Sequence, residues 1–326
     1  MSRIIIGIHG LKNKPPEAVL KKWWKASISE GLAAIGHPEQ NFQFELVYWA
    51  KYLHAKPLNP AVKDRKSPLF VDYPYLKAET FRRGEPNKLR QKLLEYIEKQ
   101  TDKIFLHTDG SLNFSAVSDL IISRFFKDLD IYFTTYCTGD HYKDCLARDM
   151  IRKELAKTLE KHRHKRILLI GHSMGSIIAY DVLTLAVPHI KIDTLITAGS
   201  PLGLPAITSK MLSEQKGAVS DTIPHVPENV VRQWCNFSDL SDKVAMNYTL
   251  ADDYAPNTKG VRPEDVIVYN NYEINGKRNP HKSYGYLRTP EMAEVIYDFL
   301  TRDRNKTMIW FENKAANLWK KIFGSR

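Results

Sequence analysis

"RILLIGHSMGSIIAYDVLTLA", residues 166–186, decides how the chain is read. Ile167–Ile170 is an unbroken apolar run, the pattern of a short strand covered on both faces. From Ile177 onward the apolar residues keep helical spacing. Between the two runs stands Ser173, with Gly171 and Gly175 two positions away on either side. A serine hydroxyl is a poor nucleophile until a neighbouring base takes its proton, and it must be held out toward a substrate. A sharp strand-to-helix turn holds it out, and small flanking residues leave room for the strained backbone. The following helix then aims its first N–H groups at developing negative charge. The plain alternative is a capping serine at a Gly-rich turn.

Outward from this stretch, strands and helices alternate. Residues 3–9, "RIIIGIH", predict a buried strand, and Pro15-Pro16 sits where the first turn of a helix tolerates proline. Val19, Leu20, Trp23, Ile28 and Leu32 mark the apolar face of that helix, and Gly36 marks its stop. A second strand is predicted over 42–50. Helices follow at 145–161, 174–187 and 290–302, and strands at 166–171, 192–198, 230–237 and 265–273. Alternation of this kind implies an α/β fold with a mostly parallel central sheet and helices on both faces. Residues 51–141 interrupt it. They carry prolines, aromatics, two candidate helices (88–99 and 116–127) and a possible hairpin at Asp109-Gly110. A block so long between core strands predicts an inserted cap, with residues 1–50 and 142–304 forming the core. Met308, Phe311, Ala315, Leu318, Trp319 and Ile322 form a stripe within 305–326, a predicted amphipathic helix that docks on the core or on a membrane surface.

Composition narrows the function. The chain has 326 residues and a formal net charge of +11. Such an excess suits anionic partners or a solubilising surface. The basic residues are spread along the chain, so no nucleic-acid partner is expected. The densest cluster, "KHRHKR" (161–166), lies at the start of a strand, opposite the usual active face of an α/β sheet; His162 and His164 are expected on the surface. No run approaches the roughly 18 apolar residues of a membrane span. The first residues do not resemble a signal peptide, so a cytoplasmic protein is expected. Cys137, Cys145 and Cys235 form no C-x-x-C pair, and reduced thiols are expected rather than disulfides or a metal site.

With "GHSMG" at 171–175, the sequence resembles the α/β-hydrolase superfamily, in particular its lipase/esterase-like serine hydrolases. The resemblance covers most of the chain outside 51–141. It implies an oxyanion loop after the first strand, where His9-Gly10-Leu11 stands, with the Leu11 and Met174 amides as donors. It implies an acid after a later strand: Asp242, just before Lys243-Val244, with Asp239 as the alternative. It implies a histidine after the last core strand, His281, and the order Ser173, Asp242, His281 is the family's order. His172 is expected to point away from the serine. Ser200 in "TAGSPLGLP" is expected to be structural, with Leu202 and Leu204 as candidates for an acyl pocket.

The resulting expectation is a serine hydrolase that cleaves a small-molecule or lipid carboxylic ester through an acyl-enzyme, with no metal or cofactor. Cap aromatics Phe70, Tyr73, Tyr75 and Phe81 favour an apolar acyl group. A thioesterase, amidase or acyltransferase would use the same residues. A non-catalytic binding protein on this scaffold and a peripheral membrane protein remain the alternatives of another class.

Overall fold

The computed structural model describes residues 1–88, 91–92, 146–204, 207–208, 211–212, 223–245, 247–303 and 314. Six strands form one sheet: β1 (Arg3–Ile8), β2 (Phe44–Val47), β3 (Arg166–His172), β4 (Ile192–Ala198), β5 (Val230–Ser238) and β6 (Pro263–Ile267). Their order is β2-β1-β3-β4-β5-β6, and every neighbouring pair is parallel. All six carboxyl ends therefore open on the same edge. The order reverses direction at β1, so the crevice between β1 and β3 is the topological switch point where open α/β sheets bind ligands.

The alternation of side chains along β1 and β3 builds two cores. Ile4, Ile6, Ile8, Ile167 and Leu169 face α2 (Ala147–Lys161) and α3 (Met174–Asp181), the latter continued by a π turn over Val182–Ala186. Ile5, Leu168 and Ile170 face α1 (Glu17–Ala34), α4 (Ser283–Leu287) and α5 (Pro290–Thr301). Helices thus cover both faces, as the alternating pattern predicts. Removing a large apolar side chain from water is worth about 1.5–3 kcal/mol each.

Four expectations need correction. On α1 the buried stripe is Leu20, Trp24, Ile28 and Leu32, so Trp24 takes the seat assigned to Trp23. Trp24 lies four residues from both Leu20 and Ile28, and it packs where Gly7 offers no side chain: a Cβ there would sit 2.7 Å from its ring. The last core strand covers only Pro263–Ile267, not 265–273. Beyond Val268 the chain leaves the sheet and makes a two-stranded hairpin, β7 (Glu273–Ile274) with β8 (Lys277–Arg278). His162 is buried rather than on the surface, with its Nε2 2.7 Å from Glu45. Leu202 and Leu204 belong to the core on the α2 side instead of an acyl pocket.

Between the 3₁₀ turn Ala50–Tyr52 and residue 87 the chain forms neither helix nor strand. It runs as a strap tied to the core. The Tyr272 hydroxyl donates to the Pro74 carbonyl (2.6 Å), Asn271 to Thr80 O (2.6 Å), and buried Arg288 to Leu76 O (2.6 Å). The Leu58 amide donates to Lys14 O (2.9 Å), joining the strap to the loop after β1. The helices and hairpin predicted within 88–141, two of the three cysteines and the stripe in 305–326 lie outside the described residues. Cys235 is a buried free thiol. No helix among the described residues is long and apolar enough to cross a membrane.

Candidate active site

Ser173 follows β3 directly, with φ 54° and ψ −127°. This is a positive-φ conformation that a residue with a side chain adopts at a cost of about 1–3 kcal/mol. The surroundings enforce it. A Cβ on Gly175 would lie 2.3 Å from the Ile8 carbonyl oxygen, and one on Gly171 would lie 2.8 Å from Ser176 Cα. The two glycines let α3 approach the ends of β1 and β3 closely enough to lift Ser173 above the sheet. The Ser173 amide donates to Ala198 O (2.9 Å), which fixes the turn to the end of β4.

Three chain segments meet at the hydroxyl. Ser173 Oγ is 3.0 Å from His281 Nε2, and His281 Nδ1 is 2.8 Å from Asp242 Oδ2. The Asp242 side chain is fully buried, whereas that of His281 is 31% exposed. Asp242 accepts two further bonds: from the Tyr286 hydroxyl at Oδ2 (2.7 Å) and from the Val244 amide at Oδ1 (2.9 Å). Burial first, then the charges of Asp242 and Asp239, push the Tyr286 phenol well above its usual pKa, so it stays a donor.

Asp239 does something else. Its carboxylate accepts from Arg278 (2.6 Å), the Asn270 amide (2.8 Å) and the Ser241 amide (2.7 Å). It organises the loops after β5 and β6 and, among the described residues, forms no hydrogen bond with His281. Of the two candidate acids, the structure brings Asp242 to the histidine.

The loop bearing His281 is held through three consecutive carbonyls. Asn270, fully buried, donates from its side-chain amide to Pro280 O (2.7 Å) and to Lys282 O (2.9 Å). His172 Nε2 donates to the His281 carbonyl itself (2.8 Å). That bond places the His172 proton on Nε2. Burial and then the nearby His281 hold the His172 pKa well below 6.5. His172 thus points away from Ser173, as expected, but toward the backbone of the histidine loop.

The loop after β1 is built as firmly. His9 is 1% exposed and stacks on Trp49 with ring centroids 4.8 Å apart. Its Nδ1 is 2.8 Å from Gly10 O, and its Nε2 accepts from the Trp49 amide (3.2 Å). Nδ1 therefore carries the proton, and burial, then the Lys14 charge, keeps the ring neutral with a pKa well below 6.5. Because a trans peptide sets C=O and N–H in opposite directions, clasping Gly10 O turns the Leu11 N–H away from His9. Gly10 abuts Ser173: a Cβ on it would lie 2.8 Å from Ser173 Cβ. Among the described residues neither the Leu11 nor the Met174 amide has a hydrogen-bond acceptor.

Four contributors escaped the sequence reading: Tyr286, Asn270, His172 as a loop anchor, and Gly199. A Cβ on Gly199, at φ 52°, would lie 2.8 Å from Asp242 Oδ2 and 3.2 Å from His281 Nδ1. Its position in "TAGSPLG", at the end of β4, was the available signal. Ser200 is structural; its hydroxyl accepts from the Leu202 amide (3.2 Å).

A cavity of about 460 Å³ opens onto Ser173 and His281, within the range of small-molecule sites. Its floor is the His9–Leu11 loop, and one wall is the strap, through Leu58, Phe70, Val71 and Tyr73. Of the other strap aromatics, Tyr75 bonds Glu30 and packs beside Tyr284, and Phe81 is not part of the lining.

A parallel sheet in this strand order, a strained serine between glycines after β3, and an acid and a histidine following in that order decide the fold. The chain has the α/β-hydrolase fold. A family profile described as "PGAP1-like alpha/beta domain" matches residues 138–247. This stretch includes the Ser173 turn and Asp242 and stops before His281. The search of curated proteins returned no match. Among solved structures it is similar to a variant of PytH (14% identity, TM-score 0.34, covering 93% of this chain and 98% of that one). It is also similar to the pyrethroid hydrolase PytH with BIF (12%, 0.35, 93% and 99%). A third is a pyrethroid hydrolase from Sphingobium faniae JZ-2 (13%, 0.30, 93% and 99%).

Proposed function

We propose that the protein is a serine hydrolase that cleaves carboxylic esters through an acyl-enzyme. The observation that carries this reading is the relay from Ser173 Oγ through His281 to Asp242, at 3.0 and 2.8 Å, beside an open cavity. In this reading His281 Nε2 takes the hydroxyl proton as Ser173 attacks the ester carbonyl. Asp242 holds the proton on Nδ1 and stabilises the imidazolium that forms. The acceptor-free Leu11 and Met174 amides are the donors for the oxyanion, and each such donor is worth about 2.7–4 kcal/mol in the transition state. The imidazolium then protonates the leaving alcohol, and a water deprotonated by His281 hydrolyses the acyl-enzyme. A thioester would follow the same route.

A fluorophosphonate probe tests the reading directly. It should label the native protein once, at Ser173, and fail to label Ser173→Ala. A series of 4-nitrophenyl esters of rising acyl length then sets the chain-length preference. A folded native protein that neither reacts with the probe nor cleaves any ester of the series would sink the proposal.

A further inference from the structure

The relay uses one imidazole and one carboxylate, yet the cavity beside it carries four cations that take no part in it: Lys12, Lys14, Arg65 and Lys282. Asp72 is the one acidic side chain in the lining. Lys14 donates to the carbonyls of Leu11 and Lys12 and so belongs to the loop itself. The other three form no ion pair and no side-chain hydrogen bond among the described residues. Lys282 follows the candidate base directly and is partly buried, its ammonium held over the rings of Tyr284 (5.0 Å) and Tyr73 (5.5 Å). Lys12 is presented at the rim by a backbone with φ 69°. Burial first, and then the Lys12 charge, bring the Lys282 pKa down to about 8, while Asp72 acts in the opposite direction. Cations that outnumber the one carboxylate beside them still favour an added anion, and one bound there gains charge-assisted hydrogen bonds.

Resting on the ester-hydrolase reading above, we propose that the substrate is an anionic ester, with a carboxylate or phosphate bound by Lys12 and Lys282 at the cavity rim while its apolar portion lies against Leu58, Phe70 and Val71. The anion is a handle that orients the ester over Ser173. The excess positive charge of the whole chain, +11, draws such substrates in from solution.

Two matched pairs of esters test this and distinguish an anion on the acyl side from one on the alcohol side. The first is 4-nitrophenyl glutarate monoanion against its neutral methyl ester. The second is the butyrate monoester of glycerol 3-phosphate against monobutyrin. In low salt, kcat/KM should favour the anionic member of at least one pair by about tenfold or more, the effect of one good charge-assisted contact. That ratio should fall toward unity in Lys12→Gln/Lys282→Gln, and likewise in high salt. The exposed single substitution Lys12→Gln, for which the ratio should fall part of the way, serves if substitution beside His281 prevents folding. Cations acting only on the oxyanion would accelerate both members alike and leave the ratio unchanged in the variants. That outcome, or no preference in either pair, overturns the proposal. Should no ester be cleaved at all, the hydrolase reading fails separately, and calorimetric titration of Ser173→Ala with both glutarate compounds still decides. Tighter binding of the anion that is lost in the lysine variants supports the proposal, and equal binding overturns it.

Discussion

Replacing Asp242 by asparagine is the most searching perturbation of the site, because three donors converge on that carboxylate. His281 Nδ1 and the Tyr286 hydroxyl meet Oδ2 at 2.8 and 2.7 Å, and the Val244 amide meets Oδ1 at 2.9 Å. An asparagine offers one oxygen and one NH₂. With its NH₂ at the Oδ2 place it donates to Nδ1, which moves the imidazole proton to Nε2 and aims it at Ser173, leaving no base. In the opposite orientation its NH₂ confronts the Val244 N–H with no acceptor between them. Wrong-tautomer substitutions of this kind lower kcat about 10⁴-fold, roughly 5.4 kcal/mol of barrier. The informative control is Asp239→Asn. It weakens the partly buried pair with Arg278 (2.6 Å) and should cost about 1–3 kcal/mol of stability. It should keep kcat/KM within about tenfold of the native value, since no bond to His281 is lost. The assay is kcat/KM on the best 4-nitrophenyl ester, beside urea unfolding of each variant. If Asp242→Asn retains activity within tenfold, or Asp239→Asn is the more damaging to catalysis, the assignment of the acid is wrong.

Two further predictions concern the supports. Asn270→Ala frees the carbonyls of Pro280 and Lys282; we expect a stability loss of about 1–3 kcal/mol with kcat falling more than KM changes, because the base loses its placement rather than the substrate its contacts. An unchanged kcat in a destabilised variant would refute the positioning role. The second prediction concerns pH. His9 and His172 are held neutral by burial, with pKa values well below 6.5. As pH falls through 6.5 the unfolded chain takes up a proton on each and the folded chain does not. Stability present above 6.5 is therefore lost below it, by roughly 1.4 kcal/mol per pH unit for each histidine. Urea unfolding at pH 7.5 and 5.5 measures the slope, and a stability that stays flat or rises on acidification would contradict it.

The parts of this architecture that show in the sequence are those with a strong local cause. β1, β3 and β4 are short apolar runs, and the elbow is marked by glycines whose absent Cβ atoms the fold requires. Residues supported only by distant partners are not legible. Asn270 looks like an ordinary loop asparagine until it is seen bridging the two residues that flank His281. Tyr286 reads as one more helix aromatic, although its hydroxyl joins Asp242 to the Asp239 amide. Trp24 outcompetes Trp23 because of a glycine on another element. The strand assigned to 265–273 breaks early because Asn270 and the residues beyond it are committed to side-chain bonds rather than to a ladder.

The three tied carbonyls around His281 lead back to the sheet edge and the elbow, and none leads to the strap. His281 therefore takes its position from the carboxyl ends of the parallel strands, while the cavity wall formed by the strap is a separate fitting. Residues 53–87 touch none of those three carbonyls, so exchanging the cavity-facing side chains Leu58, Phe70 and Val71, while keeping the ties to Tyr272, Asn271 and Arg288, leaves the anchors of His281 in place.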